Sequence, residues 1–543
     1  MDLILFNGTI HTVNEKQPRV EAVAIKDGII QAVGDNEAVL ELKQPHTQMM
    51  DLDGKLVIPG FNDCHLHLLA HGINLERMDC RGIASIAELV EKGKQFIKER
   101  NLAPGQWVLG YGWDESFYAE KRLPTCEDLD RISTENPIAL TRVCVHSVLV
   151  NSCAMALAEI TSDSPQPDGG SFSTDDSGNP TGLFSETGRY LIYNRIPDPD
   201  LNEIKAIIRS VADIAVKLGI TSIQSDDFEA LNSKNWRDVV QAYTELRNDG
   251  ELPLRVYQQC LLPDYDRLKA FIDEGYTTGV GDAFYKIGPL KLLTDGSIGS
   301  QTAYLREPYE DKPDDRGICV LSEEELDNLT ELAQTHGMQL LYHAIGDASM
   351  IMCLDAFQKV YGQSGDEKTR PGIVHCQITD DALLKRFEEQ KVMALVQPIT
   401  LANDLQILDR RLGEDRVQRT YCYRSLVESG VNVGLSSDCP VDDLDPIKNV
   451  YVATTRQDFS GYPKAGWHPE ECLSVEQAVY GLTMGGAICS FEESVKGSIE
   501  TGKYADLVVL SEDIFSVASR DLLNVDVCLT LVDGKVVYEK ENP

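Results

Sequence analysis

At 543 residues and 42% hydrophobic content, the chain is long enough for one large domain plus a smaller one, and it fills a sizeable core, which excludes a disordered protein. Its 50 basic against 87 acidic residues give a net charge of −37, which argues against nucleic acid or an anionic membrane surface as partner. Fourteen cysteines are scattered without short paired spacings in a chain too large to need disulfide staples, so they read as reduced thiols in a cytoplasm.

The first segment, MDLILFNGTIHTVNEK, carries an acidic residue at once and only a short apolar run, which reads as neither signal peptide nor anchor. Up to about residue 57 the chain shows short alternating stretches, LILFNGTIHTV, VEAVAIKDGIIQAVGD and QMMDLDGKLV, broken by Asn-Gly, Asp-Gly and Gly-Asp turn signals. The last fifty residues repeat that style in KGSIETGKYADLVVLSED and VCLTLVDGKVVYEKE. Neither end alone has enough strands to bury a core, so the two are expected to pair into one β-sandwich, residues 1–57 plus 493–543.

Between them, residues 58–492 alternate apolar strands with amphipathic helices, the pattern of an α/β protein with a parallel sheet. Eight strand candidates stand out: LVIPGFNDCH, GITSIQSDD, LPLRVYQQCL, YKIGPLKLLTDG, MQLLYHAIGD, GIVHCQI, VMALVQPIT and VNVGLSSDCP. Helical stretches such as LNEIKAIIRSVADIAVKLG and SEEELDNLTELAQTHG sit between several of them and end in Gly. Eight parallel strands with intervening helices predict a (β/α)8, TIM-type barrel whose active site lies at the C-terminal strand ends. The spacing between the first two strands is too long for one crossover, so an insertion is expected at about 68–200. It holds helix-like ASIAELVEKGKQFIKER, then WVLGYGWDE, IALTRVCVHSVLVN and a loop, SDSPQPDGGSFSTDDSGNP. Emerging from the top of the first strand, such an insertion is placed to form a lid or substrate wall.

The chemistry gathers at those strand ends. His65 and His67 are separated by one residue, so on a strand they face the same way and can share one metal ion. Lys291, His343, His375 and Asp438 end later strands and are all metal-ligand types. Lys291 lies among Leu290, Leu292 and Leu293, where a bare ammonium is expensive to bury. Two resolutions stay open: a salt bridge to Asp295 four residues on, or desolvation to a neutral amine that takes up carbon dioxide. The resulting carbamate is an anionic ligand able to bridge two metals. His11, His46, His71, His336 and His468 read as surface or local structural residues.

The motifs PGFNDCHLH, PLKLLTDG, HAIGD, VHCQ, SSDCP and ETGKYADLVVL resemble the amidohydrolase superfamily. GYGWDES, RLPTCEDLD, HSVLVNS, PDGGS and DGSIGSQTA are similar to its amidohydrolase family 3 branch that includes N-substituted formamide deformylases. The resemblance spans nearly the whole chain and implies a β-sandwich plus a metal-bearing barrel. It also implies His65, His67, Lys291, His343, His375 and Asp438 as ligands, with Lys291 the carboxylated bridge. One departure is Val374, where relatives usually have an acidic residue before the histidine, which puts the orientation of His375 in question.

The function expected is metal-dependent hydrolysis of a non-peptide carbon–nitrogen bond, an amide or N-formyl group, in a small molecule. One or two divalent ions are expected, with zinc best suited to the ligands and manganese or iron left open. A water whose pKa is lowered from 15.7 to about 7 is the nucleophile, and Asp438 passes its proton to the leaving nitrogen. Trp113, Asp114, His146 and Asp295 are candidates for the substrate pocket. The rivals are a mononuclear deaminase or cyclic amidase of the same superfamily, or a metal-free binding or assembly protein on this scaffold. A homodimer stays open.

Overall fold

The structure, a computed structural model, describes residues 1–144, 146–363, 365 and 368–541. Contacts divide the chain into two compact units, one of Met1–Ala70, Leu201–Ala230 and Lys234–Pro543, the other of His71–Asp200 and Leu231–Ser233.

The first unit is built on eight parallel strands: β1 (Phe61–Leu66), β2 (Ile220–Asp226), β3 (Arg255–Leu261), β4 (Tyr285–Leu293), β5 (Leu340–Ala344), β6 (Gly372–His375), β7 (Met393–Val396) and β8 (Val433–Leu435). They hydrogen-bond in sequence order from β1 to β8. Most of their residues are buried on both faces, which is why they read as near-continuous apolar runs rather than alternating ones. The gap between β8 and β1 is bridged by backbone groups just beyond β8. Asp438 N donates to the carbonyl of His65 at 2.9 Å, and His67 N donates to that of Cys439 at 2.8 Å. The bonds that draw the barrel shut therefore run through three of the expected ligands. Helices pack outside on apolar stripes: Leu201–Lys217 buries Ile204, Ile208, Val211, Ala212 and Ala215, spaced by three and four residues. Glu323–Thr335 starts on a capping box between Ser322 and Glu325.

The terminal segments form two sheets. One orders Ile29–Gly34, Ala22–Lys26, Leu3–Phe6 and Gln48–Asp51. The other orders Lys535–Glu539, Val527–Val532, Leu507–Leu510, Leu56–Pro59, Thr9–His11 and Arg19–Val20, so three strands from the C-terminal end meet three from the N-terminal end in one sheet, joined where Leu507–Leu510 pairs with Leu56–Pro59. Leu5, Ile10, Val23, Val57, Leu507, Val509 and Leu531 share its buried core. The stretch LVIPGFNDCH, expected as one strand, is two: Leu56–Pro59 belongs to this terminal sheet and only Phe61–Leu66 to the barrel. The chain crosses between sheets at Gly60, where a Cβ would lie 2.2 Å from the Thr221 side chain.

The second unit has its own six-stranded sheet, ordered Gly170–Thr174, Pro180–Glu186, Ser147–Val150, Ile138–Arg142, Val108–Trp113 and Met78–Asp79. Helix Ile86–Glu99, capped by Ser85, supplies Ile86, Leu89 and Val90 to its core. The stretch IALTRVCVHSVLVN becomes two antiparallel strands, and Val145 within it lies outside the described residues. The expected loop SDSPQPDGGSFSTDDSGNP instead contains a strand, because Gly170–Thr174 pairs with Pro180–Glu186 across a turn in which Asp175 accepts from Ser177 N and Asn179 N. Among the described residues no helix is long and apolar enough to cross a membrane.

Candidate metal centre

β1 and the residue after it present His65 and His67, whose ring centroids lie 5.1 Å apart. Asp438, beyond β8, brings one carboxylate oxygen to 3.4 Å from His65 Nε2 and 3.2 Å from His67 Nε2. Ligand atoms of these three residues lie within 4.8 Å of one another, the only such group of His, Cys, Asp and Glu among the described residues. His343 and His375 end β5 and β6 with ring centroids 4.3 Å apart, and His375 lies 5.8 Å from His65. His375 and Asp438 adopt φ of +81° and +58°, a left-handed conformation that non-glycine residues occupy only when their surroundings impose it. Here Cys376 N donates to the Ala344 carbonyl and Asp438 N to that of His65.

Every histidine of the set has its Nδ1 tied to an oxygen. His65 Nδ1 donates to Gln259 Oε1 at 2.6 Å, His67 Nδ1 to the Asp226 carbonyl at 2.9 Å, His343 Nδ1 to Asp295 Oδ1 at 3.0 Å and His375 Nδ1 to Gln397 Oε1 at 2.8 Å. An acceptor on Nδ1 fixes the tautomer with the proton there and leaves the Nε2 lone pair for a metal. Gln259 and Gln397 are themselves oriented: Gln259 Nε2 donates to the Cys64 carbonyl and Gln397 Nε2 to Ser436 Oγ. Gln397, just beyond the strand next to that of His375, thus orients the imidazole. Val374 is buried and makes no such contact.

Electrostatics agree. Desolvation and the Lys291 charge hold His65 well below the usual imidazole range, and desolvation and His343 do the same to His375, so both are neutral, the ligating form. Desolvation also works against a charge on His67, but Asp438 and Asp226 outweigh it and push it up to about 9. Burial works against ionising Asp438, yet His67, His65 and His375 hold its carboxyl below the ordinary range. Asp63, buried beside them and accepting from Ser437 N and His65 N, is pushed up by desolvation to about 7. Lys291 is fully buried on β4, its ammonium destabilised by desolvation, and its Nζ has no hydrogen-bond partner. The salt bridge to Asp295 does not form, because both Asp295 oxygens are occupied: Oδ1 by His343 Nδ1 and Ile345 N, Oδ2 by Gly346 N and Tyr304 N. An orphaned buried amine, a carboxylate against two imidazoles and four imidazoles anchored at Nδ1 fit a divalent ion, for which His67 would give up its second proton.

The four substrate-pocket candidates fall in different surroundings. Asp295 is closed to solvent and positions His343. Trp113 is fully buried in the core of the second unit, its indole N–H donating to the Leu140 carbonyl at 2.8 Å, because the alternation of its strand turns it inward. Asp114 caps a short turn through Ser116 N and lies 3.8 Å from Arg142; His146 is exposed, 3.2 Å from Glu186. Sequence reasoning missed Gln259 and Gln397. Their only signal was a polar residue at the end of an apolar strand, which does not say which histidine it meets.

Residues 48–538 match the model of the amidohydrolase family. A putative amidohydrolase of Bacillus subtilis, YtcJ, is 30% identical over 542 residues, 99% of this chain and 100% of its own length. The N-substituted formamide deformylase of Arthrobacter pascens is 27% identical over 99% of this chain and 98% of its own. Among solved structures, an uncharacterised metal-dependent hydrolase from Pyrococcus furiosus is similar with a TM-score of 0.79 at 29% identity, over 95% of this chain and 100% of that one.

Proposed function

The chain belongs to the amidohydrolase family, hydrolases of carbon–nitrogen bonds, and from that premise we propose that it cleaves an amide or N-formyl group of a small molecule at a centre formed by His65, His67, Lys291, His343, His375 and Asp438. The observation that carries this reading is the common tethering of all four Nδ1 atoms, which turns four Nε2 atoms into ligands. Zinc suits imidazole and carboxylate donors best.

A divalent ion bound here supplies a Lewis acid for the scissile carbonyl and lowers the pKa of water to about 7. The protein's own part is to place and move a proton. Asp438, ionised and beside His65 and His67, takes one from the attacking water and hands it to the leaving nitrogen, so that amide and water become carboxylic acid and amine. The Nδ1 acceptors hold the four imidazoles in place, and His67 would give up its second proton on taking up an ion. Burial disfavours the Lys291 ammonium, so its amine would add through Nζ to carbon dioxide and lose a proton, and the carbamate would serve as an anionic donor to the ion or ions held here. The fourteen cysteines form no disulfides, in keeping with a reducing, cytoplasmic setting.

The test is the purified, metal-replete protein against formamides, acyl amino acids, cyclic amides and aminated heterocycles. Release of amine and acid from the first two classes is expected, and Asp438→Asn should keep the fold while lowering kcat by about 10²- to 10⁴-fold. Release of ammonia from the heterocycles alone would instead make this a deaminase, and no turnover with no bound metal would leave a binding protein.

A further inference from the structure

Asp226 ends β2, and its carboxylate differs from every other acidic group around the centre. Asp295 and Asp63 each accept several hydrogen bonds, and Asp438 lies against two imidazoles. The adjacent Asp227 is satisfied too, accepting from Tyr243 Oη at 2.7 Å and Leu69 N at 2.8 Å. Asp226 is just as buried, yet neither of its side-chain oxygens has a partner or any surface that a water could touch. Its main chain already serves the centre by holding His67 Nδ1. The Lys291 ammonium is orphaned in the same way, and although the two charges are close enough to feel each other they do not pair.

Burying an acidic or basic group without a partner is costly, so two of them side by side point to a component that completes the site. Size decides what it is. A water or a substrate amine needs roughly 2.7–3.2 Å from the oxygen and has no room, whereas a divalent ion approaches a carboxylate oxygen to about 2.0–2.2 Å. We propose that Asp226 is a further metal-ligating residue, a donor from β2 that gives a carboxylate oxygen to an ion on the Lys291 side of the centre. The inference rests on the reading of the six ligands above and adds to them.

The experiment is metal retention, which needs no substrate. Wild type, Asp226→Asn, Asp226→Ser and His65→Ala are loaded with zinc, dialysed against graded chelator and assayed by elemental analysis, with melting temperatures of metal-free and loaded forms alongside. Asp226→Asn and Asp226→Ser should each hold one ion at least tenfold more weakly. Their metal-free forms should melt no lower than metal-free wild type, since an unpartnered buried charge has been removed; Asp226→Ser serves where the amide of Asn disturbs folding. Retention within twofold of wild type in a folded variant, while His65→Ala loses its metal, overturns the Asp226 assignment alone. Less than about a tenth of an equivalent on wild type itself, unaltered by His65→Ala, overturns the metal centre and this inference with it.

Discussion

At Lys291 a fully buried amine meets no acceptor, because the carboxylate four residues on is committed to His343 and to three backbone N–H groups. A residue that only filled space there could be leucine, so an amine at this position points to chemistry. Lys291→Ala should lose at least one equivalent of metal and most activity, and short carboxylic acids should restore part of both by occupying the vacated bridge; elemental analysis with and without acetate checks this. Gln397 makes a second prediction. Gln397→Leu leaves His375 Nδ1 without its acceptor, and loss of such an outer partner typically costs 10–100-fold in metal affinity or activity. Chelator competition should show that loss, and an unchanged affinity would assign the orientation of His375 to packing instead. At this scale the ligand types were legible in the sequence because chemistry restricts them to few residues. Their outer partners were not, because a glutamine acceptor on a neighbouring strand leaves no spacing to read.

Elements place these residues by their ends. β1 and the residue after it carry His65 and His67, and the continuation upstream, Leu56–Pro59, is a strand of another sheet, so Gly60 joins the terminal sheets to the barrel within one residue. Close to that junction, Glu492 is buried between two cations, with Lys496 Nζ at 2.6 Å and Lys286 Nζ at 2.7 Å, while Lys496 also donates to Ser222 Oγ of β2. Burial opposes the charge on Glu492, but two lysines acting on one carboxylate prevail and hold it down at about 2. A depressed carboxyl stabilises the fold above its unfolded pKa of about 4.3 and loses that contribution as pH falls through the folded value. The melting temperature of wild type should therefore drop more steeply between about pH 4.5 and 2 than that of Glu492→Gln, which should already be lower at neutral pH. Parallel curves for the two proteins would remove Glu492 from the acid response.

For the whole molecule, the terminal sheets hold the barrel through buried polar contacts as well as apolar ones. Arg255, at the start of β3, donates from Nε and Nη2 to the two Asp506 oxygens at 2.6 and 3.0 Å, both side chains almost closed to solvent. Tyr504 and Phe284 lie against the guanidinium. Asp506→Ala strands that charge and should cost about 3–5 kcal/mol, the range for breaking one partner of a buried pair. Urea denaturation measures it, and a loss under about 1 kcal/mol would mean that Asp533, 3.5 Å from the same guanidinium, takes over.

The sequence by itself determined the eight barrel strands, the contribution of both chain ends to one sheet and the residue types at the strand ends. Each of these is written in local signals: strand-length apolar runs, turn dipeptides, a His-x-His spacing. Tertiary structure decided where one strand became two at Gly60, why Trp113 faces a core, that Asp295 serves His343 rather than Lys291, and that Asp226 stands unpartnered. Those outcomes depend on which atoms meet across separate strands, 27 residues apart for Trp113 and Leu140 and 48 for Asp295 and His343, and no spacing within one segment encodes such a meeting.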